Sequence, residues 1–177
     1  MLISPEYAAL NAALHESDQE YGTSGHKWAG AIDDLAAKSN AATILDYGCG
    51  RGTLKRALIQ LWAGKDGPLY DVIEYDPALP ERLYKPMRAD VVVCGDVLEH
   101  VEPECLYAVL DDLKSIARKA VFLAVATRPA RKHLADGRNA HLLVERSPWW
   151  VPKLINRWQM MAFQDMGGEF VFIGKAV

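Results

Sequence analysis

The stretch ILDYGCGRGTL, residues 44–54, decides the fold. An apolar run containing Asp46 leads into glycines at the alternate positions 48, 50 and 52, and apolar residues then recur at helical spacing as far as Trp62. The pattern predicts a strand, a tight glycine turn and a helix. In such an arrangement the backbone can approach a ligand and the helix N-terminus offers free N–H groups. A turn of this kind can also be a simple connection, so both interpretations stay open here.

Two phosphate-binding interpretations of the glycine turn fail. The dinucleotide fingerprint G-x-G-x-x-G requires a glycine where the sequence has Thr53, and a P-loop requires Gly-Lys-Ser/Thr, which does not follow. Asp46 would repel a pyrophosphate, but it suits a ligand that carries an ammonium group.

Strands and helices alternate along the rest of the chain. Strands are predicted at 69–76, 89–96 and 120–127, helices at 102–119 and 148–158, and a hairpin at 158–177 that turns at Gly167-Gly168. Arg118 and Lys119 are expected in the last turn of the first of these helices, where they favour the negative end of the helix dipole. The alternation predicts an α/β fold with a doubly wound, mostly parallel sheet and a C-terminal antiparallel hairpin.

Composition narrows the class of protein. A chain of 177 residues, half of them hydrophobic, is long enough for one domain with its own core. The net charge of −3 and the pI near 5.9 do not suggest a general nucleic-acid binder. The first residues lack a signal-peptide pattern, and no apolar run is long enough to span a bilayer. Cys49, Cys94 and Cys105 lack metal-ligand spacing, so we expect reduced thiols in a cytoplasmic protein without a membrane partner.

Three segments occur in an informative order: LDYGCGRG at 45–52, VIEYDPAL at 72–79 and DVVVCGDVLEHVEP at 90–103. The set resembles the three successive motifs of class I S-adenosylmethionine-dependent methyltransferases, and the likeness covers about residues 40–125. It implies a Rossmann-like fold, S-adenosylmethionine as the cofactor and a methyl-transfer activity. It also implies one domain of three parts: N-terminal cover helices (1–40), a cofactor-binding core (41–126) and an acceptor-side loop, helix and hairpin (127–177).

The resemblance assigns cofactor contacts. Asp46 and the turn from Gly48 to Gly52 hold the methionine part, and Asp76 accepts hydrogen bonds from the ribose hydroxyls, with Glu74 as the less favoured alternative. Tyr21 and Gly22 belong to a segment that resembles the N-terminal cover of these enzymes, although an ordinary loop is an equal alternative. The expected cofactor-binding set is Tyr21, Asp46, Gly48, Cys49, Gly50, Asp76, Pro77, Cys94, Gly95 and Asp96.

The segment between Asp76 and Asp90 departs from the family pattern. The family usually places there a helix, a third strand and a loop below the adenine, whereas this chain offers only PALPERLYKPMRA, with three prolines. We therefore expect the third strand to be missing, since a crossover needs about 10–12 residues at least. Adenine contacts are then expected from Tyr84, Met87 or Arg88.

The acceptor is predicted from the residues expected around the methyl group. The chain lacks both the Asn/Asp-Pro-Pro-aromatic motif of amino-group nucleic-acid methyltransferases and a Pro-Cys pair, so an O-, N- or small-molecule acceptor remains. His141 is the expected proton acceptor, and His100 is its predicted catalytic partner. Asp96, Glu99, His100 and His141 also resemble a divalent-metal set of some RNA and quinone-ring O-methyltransferases. The alternative is that Glu99 and His100 serve only capping and packing.

Charge is distributed unevenly along the chain. Residues 71–112 hold eleven acids and three bases, whereas residues 128–157 hold seven bases and two acids. We expect the basic loop, with Arg128, Arg131, Lys132 and Arg138, to lie over the mouth of the site and Trp149 to stack on a planar or sugar acceptor. Arg128, Arg138 and Trp149 are the predicted substrate contacts, while Trp150 is expected in the core.

Three functions remain open at the level of sequence. The first is a methyltransferase for a hydroxyl or similar nucleophile of a small or carbohydrate-like, anionic acceptor. The second is a modifier of a terminal nucleotide, with nucleic acid as the partner. The third is a non-catalytic protein that binds the cofactor or another protein.

Overall fold

The computed structural model describes residues 1–64, 69–85 and 88–177. These residues form one sheet in the order β2-β1-β3-β4-β6-β5. The strands are β1 (Thr43–Tyr47), β2 (Asp71–Tyr75), β3 (Ala89–Gly95), β4 (Ala117–Ala126), β5 (Gln159–Asp165) and β6 (Glu169–Lys175). The pairs among β1 to β4 are parallel, and β6 is antiparallel to both β4 and β5. The predicted α/β class, the mostly parallel sheet and the C-terminal hairpin are confirmed.

Helices cover both faces of the sheet. They are α1 (Pro5–Ser17), α2 (Ala29–Lys38), α3 (Thr53–Leu61), α4 (Leu106–Ile116) and α5 (Ser147–Ile155). Ser4 caps α1 by accepting a hydrogen bond from the Tyr7 N–H, 3.1 Å away. No helix in the described part of the chain is both long and apolar enough to cross a membrane.

The helix predicted at 102–119 ends earlier than its sequence pattern suggests. A short 3-10 turn, Pro103–Cys105, precedes α4, and the chain becomes extended at Ala117, which pairs with Ala89 of β3. Arg118 and Lys119 therefore lie in β4 rather than in the last helical turn. Sheet pairing outweighs the helical charge pattern at this boundary.

The segment after β2 is short, as expected. Between Asp76 and Arg88 the described residues contain a 3-10 turn, Pro80–Arg82, and no strand. Pro86 and Met87 lie outside the described residues. In the described residues the sheet consequently ends at β2.

The core has two layers, one on each face of the sheet. Alternate residues of β4 separate them: Val121, Leu123 and Val125 face α4 and α5, whereas Ala120, Phe122 and Ala124 face α2 and α3. Trp150 and Trp158 are fully buried in the first layer. Burial of Trp150 agrees with its expected place in the core.

We predict that Gly174→Ala destabilises the protein, whereas Gly30→Ala does not. A Cβ at Gly174 would lie 2.6 Å from the Trp158 Cβ and 2.7 Å from the Phe172 ring, but a Cβ at Gly30 meets no atom within 4 Å. The overpacked variant should lose about 1–3 kcal/mol, and the α2 variant should gain up to about 1 kcal/mol from helix propensity. Urea denaturation of both variants measures this, and equal stabilities would contradict the packing described for β6.

Candidate cofactor and acceptor site

A cavity of about 750 Å³ opens at the carboxyl ends of the parallel strands. Gly48 follows β1, Asp76 follows β2 and Asp96 follows β3, and each lines it. In open α/β sheets, ligands bind beyond the carboxyl ends of the strands, at the point where the strand order reverses. The segments that close the cavity come from α1, from the turn that follows it and from the loop after β4.

Close packing joins the glycine turn to the segment that precedes α2. Gly50 has a φ of +49°, and a Cβ there would lie 2.7 Å from the Gly22 carbonyl oxygen. A Cβ at Gly22, whose φ is +72°, would lie 2.5 Å from the His15 ring. The Arg51 N–H donates to the Gly22 carbonyl at 2.9 Å, and its guanidinium donates to the carbonyls of His15 and Asp18. Both glycines are therefore required for residues 15–22 to cover the turn.

Asp76 has the geometry expected of a ribose-binding carboxylate. It lines the cavity, and its two oxygens each accept one backbone N–H at 3.0 Å, from Gly50 and Ala78. Each carboxylate oxygen has a second lone pair, which remains available to a hydroxyl. Glu74, the alternative candidate, instead pairs with Arg82 at 2.9 Å and does not line the cavity.

Asp46 lies behind the glycine turn rather than on the cavity wall. Burial raises the pKa of Asp46 to about 7, and the neighbouring carboxylates of Glu74 and Asp76 act in the same direction. A cation in the turn would stabilise its ionised form. The position is compatible with an ammonium group on the far side of the turn.

One side of the cavity wall is polar and acidic. Asp96 has a φ of +58°, a conformation that non-glycine residues adopt at a cost of about 1–3 kcal/mol and that concentrates at functional sites. Its carboxylate pairs with Lys27 at 3.0 Å. Glu99 is buried, and its Oε1 accepts the Ala126 N–H at 3.1 Å, while its Oε2 has no partner among the described residues. Burial raises the pKa of Glu99 to about 8, and Asp96 contributes to the increase.

The structure brings His100 and His141 together beside this wall. Their rings are perpendicular, with centroids 4.7 Å apart. His100 Nδ1 donates to the Ala140 carbonyl at 2.7 Å, and His141 Nδ1 donates to the Arg128 carbonyl at 2.6 Å, because a carbonyl can only accept. Both Nε2 atoms are therefore unprotonated in the neutral rings. Burial lowers the pKa of His141, and it lowers that of His100 to about 4 with help from His141.

Glu99, His100 and His141 could also hold a metal ion. Each offers one ligand atom, and these atoms all lie within 4.8 Å of one another. The histidines are already oriented by their bonds to backbone carbonyls, which is the usual outer-shell arrangement of metal ligands. Asp96 pairs with Lys27 and is not part of this group. The residues therefore fit a divalent cation by type and spacing.

Six of the fifteen predicted site residues lie away from the cavity wall. Cys94 points into the core because alternate strand residues face opposite sides, and Gly95 packs against Trp28. Arg138 pairs with its neighbour Asp136 at 2.7 Å, and Trp149 contacts Trp150 and Lys153. The six are Asp46, Cys49, Cys94, Gly95, Arg138 and Trp149, and the nine on the wall are Tyr21, Gly48, Gly50, Asp76, Pro77, Asp96, His100, Arg128 and His141.

The expected adenine contacts also differ from the structure. The Tyr84 and Arg88 side chains are exposed and do not line the cavity, and Met87 lies outside the described residues. The cavity is lined instead by residues of α1 and of the short segment before it, among them Leu2, Ile3, Tyr7, Asn11 and His15. The N-cap signal at Ser4-Pro5 could have predicted α1. It does not indicate which face of α1 lines the cavity.

Basic residues of the loop after β4 lie at the mouth. Arg128, Arg131 and Lys132 line the cavity. Lys132 pairs with Asp18 at 2.5 Å, whereas Arg128 and Arg131 form no ion pair within the described parts of the chain. Two exposed guanidinium groups are thus available to an anionic ligand.

Comparison with solved structures places the fold among methyltransferases. The 1,6-didemethyltoxoflavin-N1-methyltransferase of Burkholderia thailandensis, solved with S-adenosylhomocysteine, has a TM-score of 0.62 at 17% identity; the match covers 100% of this chain and 92% of that one. Magnesium protoporphyrin IX methyltransferase of Synechocystis PCC 6803, also with S-adenosylhomocysteine, has a TM-score of 0.56 at 15% identity and coverages of 86% and 83%. The N-terminal domain of EvdMO1 gives 0.57 at 16% identity, with 86% and 81% covered.

No curated protein matches the sequence. A family model described as a methyltransferase domain matches residues 19–171, which is most of the chain and includes the glycine turn, Asp76 and both histidines. The chain therefore belongs to the S-adenosylmethionine-dependent methyltransferase family.

Proposed function

We propose that this enzyme transfers the cofactor's methyl group to a hydroxyl or similar nucleophile of a small, anionic acceptor. The observation that carries the proposal is the pair of unprotonated histidine Nε2 atoms on the wall that also contains the glycine turn. His141, in the loop after β4, lines the same cavity as the glycine turn, so a methyl group held over that turn would share the cavity with it. Solved structures with the same fold include enzymes whose names specify small molecules. Neither these structures nor the family model supports a nucleic-acid acceptor.

The chemistry asked of the protein is modest. Methyl transfer from a sulfonium is a direct displacement, so the enzyme gains most by aligning donor and acceptor. An attacking hydroxyl must also lose its proton, and a neutral imidazole with a free Nε2 can accept it. His141 is the better candidate for the proton acceptor, because burial lowers the pKa of His100 to about 4, which makes its imidazole a weak base.

A divalent cation is the second way to activate the acceptor. The buried Glu99 Oε2 that lacks a partner among the described residues favours this alternative, together with the two Nε2 atoms near it. When bound, such an ion supplies a Lewis acid that lowers the pKa of a coordinated hydroxyl. In that case, Glu99, His100 and His141 would hold the ion, and the proton of the coordinated hydroxyl would pass to solvent.

We predict that Asp76→Ala raises the Kd for S-adenosylhomocysteine at least about tenfold, since charge-assisted hydrogen bonds to two hydroxyls are lost. Calorimetry on this variant, on Glu74→Ala and on the exposed-acid control Glu104→Ala gives the comparison. Weaker binding in Glu74→Ala with normal binding in Asp76→Ala would reverse the assignment.

We predict that His141→Ala binds S-adenosylhomocysteine with a Kd within about twofold of wild type but loses turnover by about 10²–10⁴-fold. Turnover is measured as S-adenosylhomocysteine release from S-adenosylmethionine with a panel of hydroxylated carboxylic acids, phenols and sugar phosphates. His133→Ala, in the same loop but off the cavity wall, is the matched control. Wild type that binds the cofactor yet is inactive on every member of a broad panel would support the non-catalytic alternative.

Metal dependence separates the two modes of activation. If a cation activates the acceptor, EDTA and Glu99→Gln each abolish turnover, and added Mg²⁺ or Mn²⁺ restores the EDTA-treated enzyme. If His141 is the base, EDTA has no effect. Turnover that persists in EDTA but is lost in His141→Ala excludes the metal.

We predict that the double substitution Arg128→Ala/Arg131→Ala raises KM for an anionic acceptor about five- to tenfold and leaves kcat nearly unchanged, because it removes binding shared by the ground and transition states. Arg138→Ala is the control, since its guanidinium is already paired with Asp136. An equal increase in KM in the control would mean that the basic loop acts only through its total charge.

A further inference from the structure

The cavity wall includes a set of apolar side chains. With Asp76 assigned to the cofactor's ribose and the glycine turn to its methionine part, the purine base would extend to the other side of Asp76. Pro77 and Ala78, which follow Asp76, line the cavity, as do Tyr47, Val97, Val101 and Val109. We call these six residues the apolar end of the cavity; Glu102, next to Val101, also lines the cavity.

Leu2 and Ile3 complete this apolar end. Leu2 packs against the buried cluster that contains Tyr47 and Val109, which are two of the lining residues. Leu2 thus extends the hydrophobic core of which these two lining residues are part. In the described residues no strand other than β1 pairs with β2.

The Leu2–Ile3 segment is held in place by hydrogen bonds on its C-terminal side. The Ser4 N–H donates to Glu102 Oε2 at 2.8 Å, and the Ser4 hydroxyl donates to Glu102 Oε1 at 2.6 Å. One turn later the Tyr7 hydroxyl donates to the His100 carbonyl at 2.5 Å. Glu102 is itself buried, so these bonds are shielded from water.

We infer that Leu2 and Ile3 cover the purine base of the cofactor and so take the place of the missing third strand and its loop. The base is a flat aromatic ring, and aliphatic side chains on both faces exclude water from it. Docking of the first residues and binding of the cofactor are then linked: each becomes more favourable when the other has occurred. The inference depends on the cofactor alone and not on the proposed acceptor.

The test compares two ligands that share the base. 5′-Methylthioadenosine carries the purine and ribose without the amino-acid end of S-adenosylhomocysteine. In the double variant Leu2→Ser/Ile3→Ser, carrying any tag at the C-terminus, the Kd should rise about tenfold for both ligands alike, because both lose the same apolar contacts. Calorimetry provides the values, and thermal melts without ligand establish that the variant is folded.

Tyr84→Ser is the matched control, because Tyr84 is exposed and lies in the short segment after β2. The inference predicts no change in Kd for this variant. It is overturned if the double variant binds both ligands normally, if only S-adenosylhomocysteine is weakened, or if Tyr84→Ser is the variant that loses affinity.

Hydrogen exchange gives a second measurement that does not depend on any substitution. Saturating wild type with 5′-methylthioadenosine should slow amide exchange at residues 2–7, since a bound base fixes the segment against α4 and the loop after β3. Unchanged exchange at these residues, in a protein shown to bind the ligand, contradicts the inference even if the double variant fails to fold. Failure to find an acceptor affects neither measurement.

Discussion

The site depends on the contact between Gly22 and Gly50. The two backbones approach so closely that neither position has room for a Cβ, and Arg51 fixes the contact through three backbone carbonyls. This contact sets the height of the N-terminal cover above the glycine turn. Tyr21, which is next to Gly22, thereby reaches the cavity wall, with its hydroxyl donating to Asn11 at 2.9 Å. Without this contact, the glycine turn would be open to solvent on the side that faces the N-terminal cover.

Local patterns in the sequence predicted the sheet well. The glycine turn, the two apolar strands that follow it and the Gly167-Gly168 hairpin are each encoded within about ten residues, and the three prolines before Ala89 correctly indicated that the third strand is missing. The length of the helix that ends at Ile116 was overestimated, because the pairing of Ala117 with β3 depends on residues far away in the chain. The alternation of side chains along β3 places Cys94 in the core. The strand pattern already indicated this, but the family resemblance led to the prediction of a cofactor contact.

The candidate site was predicted less completely, because its walls come from segments that meet only in the folded protein. His100 and His141 are 41 positions apart, and they meet because the loop after β4 returns past the carboxyl end of β3. Arg138 lies in that same loop but satisfies its charge locally with Asp136. Charge counts identify a basic loop correctly, yet they cannot distinguish a guanidinium that is already paired from one that faces the cavity.

The cover also has a kinetic consequence. Residues 1–28 reach over both the glycine turn and the apolar end of the cavity, and hydrogen bonds fasten them at Ser4, Tyr7 and Arg51. A cofactor bound beneath this cover would leave more readily when part of the cover detaches, so we expect its exit to depend on local opening of the first helix. Substitutions that strengthen the cover should then slow steady-state turnover even as they tighten binding. Pre-steady-state measurement would show this as a burst of methylated product followed by a slower phase.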